Sequence, residues 1–150
     1  MWNKFKNFKK INFEIIKEIF RIKSSKKLKF NLIHISTDQF YNQKNKKKSK
    51  ENSKIFLLNN YCKHKRMAEK ICLKNKALIF RTNFFGKSNS KNKSFTDWIF
   101  RSFKMKKKIY LFNDVYFNPL RIDTIVNIIS KIVNKKKYNL SGIYNVGAKD

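Results

Sequence analysis

The sequence predicts an α/β fold with a largely parallel sheet. Short apolar, β-branched runs at residues 30–35 and 77–80 read as buried strands. Between and around them lie segments of ten or more residues whose apolar side chains recur at helical spacing. Strands alternating with helices of that length form βαβ units, and these build parallel sheets.

Taken in order, residues 11–22 carry apolar side chains at 11, 15, 16, 19, 20 and 22, a helical stripe. The strand at 30–35 follows. Residues 43–54 are polar and aperiodic and read as a loop, and within them KNKKKSK (44–50) reads as a solvated basic insertion. Asn59 and Asn60 are N-cap candidates for a helix running to about Leu73. The strand at 77–80 leads into Arg81-Thr82-Asn83. A helix is expected over 95–103, a third strand over 109–112, and a helix capped by Asp123 through Val133 after the break at Pro119. Residues 142–146 close the chain as a strand. There is no internal repeat.

At 150 residues the chain makes at most one ordinary domain, large enough to bury a core. No apolar run reaches the roughly 18 residues that span a bilayer. The basic N-terminus lacks the apolar stretch of a secretory signal, so a cytoplasmic protein is expected. The formal charge of +28 suggests a polyanion partner. However, Lys supplies 32 of the 37 basic residues, and Lys, Asn, Ile and Phe fill 84 of the 150 positions. All four have A/T-rich codons, so base composition alone accounts for the bias. Nucleic-acid sites also favour Arg for its bidentate fork, which argues against that partner. Cys62 and Cys72, ten apart on one helix, point in different directions. They read as buried thiols and not as a metal pair or disulfide, so no metal is expected.

The chemistry concentrates in three segments. His34-Ile35-Ser36-Thr37-Asp38 places a hydroxyl and a carboxylate directly after a buried strand, where α/β sheets bind ligands. Tyr61 lies on the following helix, with Lys65 at i+4 on the same face. This trio suits carbonyl reduction. A phenol titrates at about 10, so bringing it near 7 needs roughly 4 kcal/mol, part of which a neighbouring ammonium supplies. Tyr61 then gives a proton to the substrate oxygen as hydride reaches carbon. Thr37 donates a hydrogen bond to the same oxygen.

Tyr-x-x-x-Lys alone is a weak pattern in a Lys-rich chain. The segment from Asn60 to Lys70 (NYCKHKRMAEK), with Ser36-Thr37-Asp38 before it and Leu78 to Gly86 (LIFRTNFFG) after it, resembles the extended short-chain dehydrogenases/reductases. The nearest resemblance is to the dTDP-4-dehydrorhamnose reductases and their sugar-nucleotide reductase cousins. Leu111-Phe112-Asn113-Asp114, Phe117-Asn118-Pro119 and Gly142 to Val146 are similar to later segments of that family. The resemblance implies the C-terminal part of a Rossmann-like doubly wound parallel sheet plus the start of a small substrate domain. On this reading residues 1–108 are a partial NAD(P)-binding domain, and 109–150 are a partial substrate-binding region returning to the sheet.

The resemblance also implies site roles: Thr37, Tyr61 and Lys65 catalytic; Tyr61, Lys65, Thr82, Asn83 and Phe84 at an NAD or NADP cofactor; Thr37, Asp38 and Phe84 at the nucleotide-sugar substrate. Related dehydratases carry Asp-Glu after the Thr. Here the pair is Asp38-Gln39, and an amide cannot serve as the acid/base group, so simple reduction is favoured. The family's opening G-x-x-G-x-x-G turn has no counterpart, because Gly86, Gly142 and Gly147 all follow Tyr61. The expectation is a truncated or split enzyme of nucleotide-sugar and surface-polysaccharide synthesis, with a second chain as the partner supplying that turn and no membrane partner. Two alternatives stay open. One is a non-catalytic nucleotide-binding regulatory relative of the same fold, and the other is a basic nucleic-acid-binding module.

Overall fold

The structure is a computed structural model that describes residues 9–41, 48–86, 94–111, 113–116, 118–136 and 139–148. A π-helical turn, Lys10–Glu14, runs into α1 (Ile15–Ser25). Then come β1 (Ile33–Ile35), α2 (Asn60–Lys74), β2 (Leu78–Thr82), β3 (Phe84–Phe85), α3 (Phe95–Lys104), β4 (Leu120–Arg121), α4 (Ile122–Asn134) and β5 (Gly142–Val146). β1, β2 and β5 form a parallel sheet in the order β1-β2-β5, and β3 and β4 form a second parallel pair.

β2 occupies the centre of the main sheet and every one of its residues is buried, as expected of a parallel strand covered on both faces. Phe20, Cys72, Ala77 and Ile79 form a core cluster between α1, α2 and the sheet, with Ile16, Leu32, Ile71 and Ile143 packed around it. Cys62 and Cys72 are both buried free thiols, and burial pushes Cys72 up to about 12. α2 begins where its sequence specifies, since the Asn59 side chain accepts from the Cys62 amide at 2.8 Å. α3 starts in a capping box in which Ser94 and Asp97 exchange side-chain and backbone bonds. At Gly86 a Cβ would lie 2.8 Å from the Ile122 side chain, so only glycine lets the second sheet approach α4 there.

Two expectations need correction. Residues 109–111 form no strand, and Phe112 lies outside the described residues. Tyr110 is 82% exposed and Leu111 59%, so among the described residues these two side chains of the run face no pairing strand and no core. The residue before α4 is Arg121, in extended conformation with no side-chain cap. Asp123 sits inside the first turn, where its carboxylate accepts from Arg121 at 2.6 Å. Residues 42–47 of the expected basic loop also lie outside the described residues.

Among the described residues the four α-helices end alike. Lys27, Lys76, Lys106 and Lys136 follow the four C-caps in the left-handed region, with φ of 49°, 55°, 50° and 49°. Glycine is the usual residue there, and a side chain costs on the order of 1 kcal/mol. Lysine in all four positions fits a composition drawn toward A/T-rich codons, as the charge did. No helix among the described residues is long and apolar enough to cross a membrane.

Candidate active site

The carboxyl ends of β1 and β2 carry the candidate residues. Ile35 pairs with Phe80, so Thr37 and Thr82 each stand two residues past that rung, at the same end of the sheet. Both are buried, at 3% and 4% exposure. α2 brings Tyr61 to the same place, where the Thr37 hydroxyl acts to lower the pKa of its phenol. The Gln39 amide donates to Thr37 Oγ1 at 3.2 Å, which leaves the hydroxyl proton free for another acceptor. Lys65 follows one turn on, its ammonium 5.9 Å from the Tyr61 ring centroid. Thr37, Tyr61 and Lys65 therefore converge.

The electrostatics differ from the simple expectation. Burial pushes the Tyr61 phenol up, the Thr37 hydroxyl opposes that, and Cys62 and Asp38 add to the rise. Burial pushes Lys65 down, with Cys72 and Glu69 opposing. The ammonium donates to the Ile35 carbonyl at 2.9 Å and so tethers α2 to the end of β1. The phenol is consequently neutral near pH 7 and holds a proton.

Asp38 lies beside this group. Its Oδ1 is buried without a hydrogen-bond partner among the described residues, and burial lifts the carboxyl to about 6. His34, on β1, is pushed down to about 4 by burial, helped by Lys65 and opposed by Glu69. Asn83 is half-buried, and its carbonyl accepts from Leu120 at 2.9 Å. Phe84 leaves the main sheet for β3, pairs with Leu120 and is 47% exposed. A cavity of about 510 Å³ opens beyond it, lined by Gly86, Thr96, Asp97, Phe100, Arg121 and Asp123 among others.

Asp38 and His34 titrate with opposite signs. A carboxyl raised from 3.8 to about 6 contributes stability below 3.8 that is lost as pH rises through 6. An imidazole lowered from 6.5 to about 4 contributes stability above 6.5 that is lost as pH falls through 4. Each is worth up to about 3 kcal/mol, and over the shared window they cancel. Asp38→Asn removes one of them. As pH falls from 6.5 to 4, the parent should gain about 3 kcal/mol on the variant in urea melts. A gap that stays constant with pH would show that Asp38 is not held neutral.

Sequence reasoning missed the polar network beneath the site. Glu69 is fully buried and Arg81 is 1% exposed. Arg81 Nε and one terminal nitrogen clamp Glu69 Oε1 and Oε2 at 2.9 and 2.8 Å. Ser36 Oγ donates to Glu69 Oε1 at 2.7 Å, and Arg66 donates to Oε2 at 2.8 Å. The other terminal nitrogen of Arg81 donates to the Tyr41 hydroxyl at 2.8 Å, and that hydroxyl donates to Asn145 Oδ1 at 2.8 Å. The signals were present in the sequence. Glu69 falls at i+4 from Lys65, and Arg81 interrupts the apolar strand LIFRT, where a charge demands a partner.

A parallel sheet with helices against it, and a hydroxyl, a phenol and an ammonium converging at its carboxyl end, defines a Rossmann-like α/β protein. Residues 4–150 match the family described as RmlD substrate binding domain, and the chain belongs to that family. Among solved structures, a hypothetical dTDP-4-dehydrorhamnose reductase from Sulfolobus tokodaii is 25% identical, with a TM-score of 0.76 over 94% of this chain and 48% of its own. A dTDP-4-dehydrorhamnose reductase from Clostridium acetobutylicum shares the fold at 20% identity and a TM-score of 0.66, over 80% of this chain and 41% of its own. So does a UDP-glucuronic acid 4-epimerase from Bacillus cereus in complex with NAD, at 20% identity and 0.71, over 93% and 48%. No curated protein matches. The chain spans about half the length of the solved structures it matches.

Proposed function

We propose that this chain carries the proton-donating face of an NAD(P)-dependent reductase acting on a keto-sugar nucleotide of the dTDP-4-dehydrorhamnose type. The observation that carries this reading is the placement of Thr37, Tyr61 and Lys65 at one end of the sheet, with the Lys65 ammonium 5.9 Å from the Tyr61 ring centroid and bonded to the Ile35 carbonyl. Thr37, Tyr61 and Lys65 are the proposed catalytic residues. A neutral phenol beside a hydroxyl can give its proton to a substrate oxygen while Thr37 steadies the developing charge. Asp38 and Phe84 are proposed at the sugar.

The residues present fit the nicotinamide end of a dinucleotide. Ile35 takes one of the three Lys65 donors, and ribose hydroxyls suit the others. Tyr61, Thr82, Asn83 and Phe84 complete that wall in this reading. When bound, the cofactor supplies hydride. All three glycines follow Tyr61, so the pyrophosphate end has no Gly-rich seat within these 150 residues. Residues 1–108 are proposed as part of the cofactor-binding fold and 109–150 as part of the substrate region. The proposed setting is cytoplasmic nucleotide-sugar and surface-polysaccharide synthesis, with the Gly-rich unit supplied from outside these 150 residues, as by a second chain.

A second reading, a nucleotide-binding relative without turnover, is favoured by one observation: burial raises Tyr61 and lowers Lys65, the reverse of an activated pair. The test is to titrate the purified 150-residue chain with NADPH by calorimetry at low and high salt, then to assay oxidation of NAD(P)H with dTDP-4-dehydrorhamnose. Weak binding that salt abolishes, and no turnover, is expected of this chain alone. Micromolar, salt-insensitive binding would show that the site is complete without a Gly-rich turn. Turnover restored by a Gly-rich partner chain supports the reductase, and tight binding with no turnover in that assembly supports the second reading.

A further inference from the structure

We propose that Ser36 and Glu69 are positioning residues for the reaction, holding the Thr37 hydroxyl against Tyr61. The inference rests on the reductase reading of Tyr61 and deepens it. Thr37 follows β1 two residues on, just before the turn at 38–41, and among the described residues its hydroxyl is held by one weak bond, from the Gln39 amide at 3.2 Å. Its neighbour Ser36 is fixed twice. The Ser36 amide donates to the Phe80 carbonyl at 2.7 Å, extending the β1–β2 ladder, and its hydroxyl donates to Glu69 Oε1 at 2.7 Å. Glu69 lies on α2, the helix that carries Tyr61 and Lys65, and is anchored there by Arg66. It is also locked to β2 by Nε and one terminal nitrogen of Arg81.

Ser36–Glu69 is therefore a buried side-chain bond between the segment bearing Thr37 and the helix bearing Tyr61. Lys65 ties the same two elements through the Ile35 carbonyl, one residue before Ser36. Two consecutive residues of the strand end, Ile35 and Ser36, are thus each bonded to α2 one turn apart, through Lys65 and Glu69. These two held points fix the backbone direction at Thr37, whose hydroxyl acts on the Tyr61 phenol at the preceding turn of α2. A hydrogen bond demands alignment to within a few tenths of an ångström, so slack at Ser36 reaches Tyr61 directly.

Ser36→Ala cuts this link and leaves the Glu69–Arg81 pair in place, because Arg81 Nε still bonds Oε1. The readout is the Cζ carbon resonance of Tyr61 in protein labelled at tyrosine, assigned by Tyr61→Phe and recorded at neutral pH. Thr37→Ala removes the hydroxyl that acts on the Tyr61 phenol and calibrates the shift. Ser36→Ala should move the Tyr61 resonance in the same direction by a comparable amount. The Tyr41 resonance should stay in place, because Tyr41 reports on Arg81. Ser36→Thr, which keeps the hydroxyl, should restore the parent position. The double variant Ser36→Ala/Thr37→Ala should add little to either single change.

A Tyr61 resonance unmoved in Ser36→Ala but moved in Thr37→Ala overturns the positioning role and leaves the Thr37–Tyr61 contact standing. A resonance unmoved by Thr37→Ala contradicts that contact, and with it the catalytic reading. Should Ser36→Ala not fold, Ser36→Cys keeps the volume with a weaker donor, and an unmoved Tyr61 resonance there overturns the proposal equally.

Discussion

Tyr61→Phe is expected to lower turnover of the assembled enzyme by about 10²–10⁴-fold, the usual contribution of a positioned general acid, with substrate affinity changed only a few-fold. The ring is half-buried on α2 and its packing survives the change. What disappears is one hydroxyl, the group on which Thr37 acts. A proton given to the substrate oxygen matters in the transition state and hardly at all in the ground state, so the loss belongs in kcat and not in KM. Steady-state kinetics on parent and variant separate the two. Parent-like turnover would show that Tyr61 donates no proton. A raised KM at unchanged kcat would make Tyr61 a binding residue.

Glu69→Leu should destabilise the fold by about 3–5 kcal/mol, because it leaves the buried Arg81 without its ion-pair partner. Among the described residues Arg81 would keep hydrogen bonds to the Tyr41 hydroxyl and the Glu51 carbonyl, at 2.8 and 3.0 Å, and its place over the Phe40 and Tyr41 rings. Arg81→Leu should cost less, since Glu69 keeps Arg66 at 2.8 Å and Ser36 at 2.7 Å. Burial by itself would raise the Glu69 carboxyl, yet the bonds from Arg81, Ser36 and Arg66 outweigh it and hold the group below its ordinary value. The double change to Leu at both positions should recover much of the loss, because an apolar pair needs no desolvation to be offset. Thermal melts would register Glu69→Leu as a fall of roughly 10 °C. Equal, small effects from both single changes would mean that water reaches the pair.

The parts of the fold with local signals were legible. Asn59 caps α2, residues 142–146 form β5 to the residue, and the helices at 15–25 and 95–104 follow their apolar spacing. The trio Thr37, Tyr61 and Lys65 was legible because a strand end and one helix face are both read from spacing. What failed depended on partners distant in sequence. Residues 109–111 are apolar enough for a strand, but strand formation requires a neighbour, and a single sequence does not say that none is offered. β3 and β4, two residues each, carry no periodicity at all. The Glu69–Arg81 pair could be suspected from a charge inside LIFRT. Which acid answers it depended on how α2 crosses the sheet. The direction of the Tyr61 shift was misjudged for a related reason. The i+4 spacing places Lys65 near the ring, but burial and the Ile35 carbonyl decide what its ammonium does.

The central claim is that the β1 end and α2 form one carbonyl-reducing site. Its most direct test is deuteride transfer. The protein would be isolated together with any partner chain it holds in its own cells, then incubated with NADH or NADPH carrying deuterium at the transferable position and with dTDP-4-dehydrorhamnose. The recovered sugar nucleotide would be weighed by mass spectrometry. The account predicts that a single deuterium appears at the former carbonyl carbon with the parent protein, and does so far more slowly with Tyr61→Phe. A sugar nucleotide recovered without deuterium, from protein shown to bind both cofactor and substrate, would contradict the account.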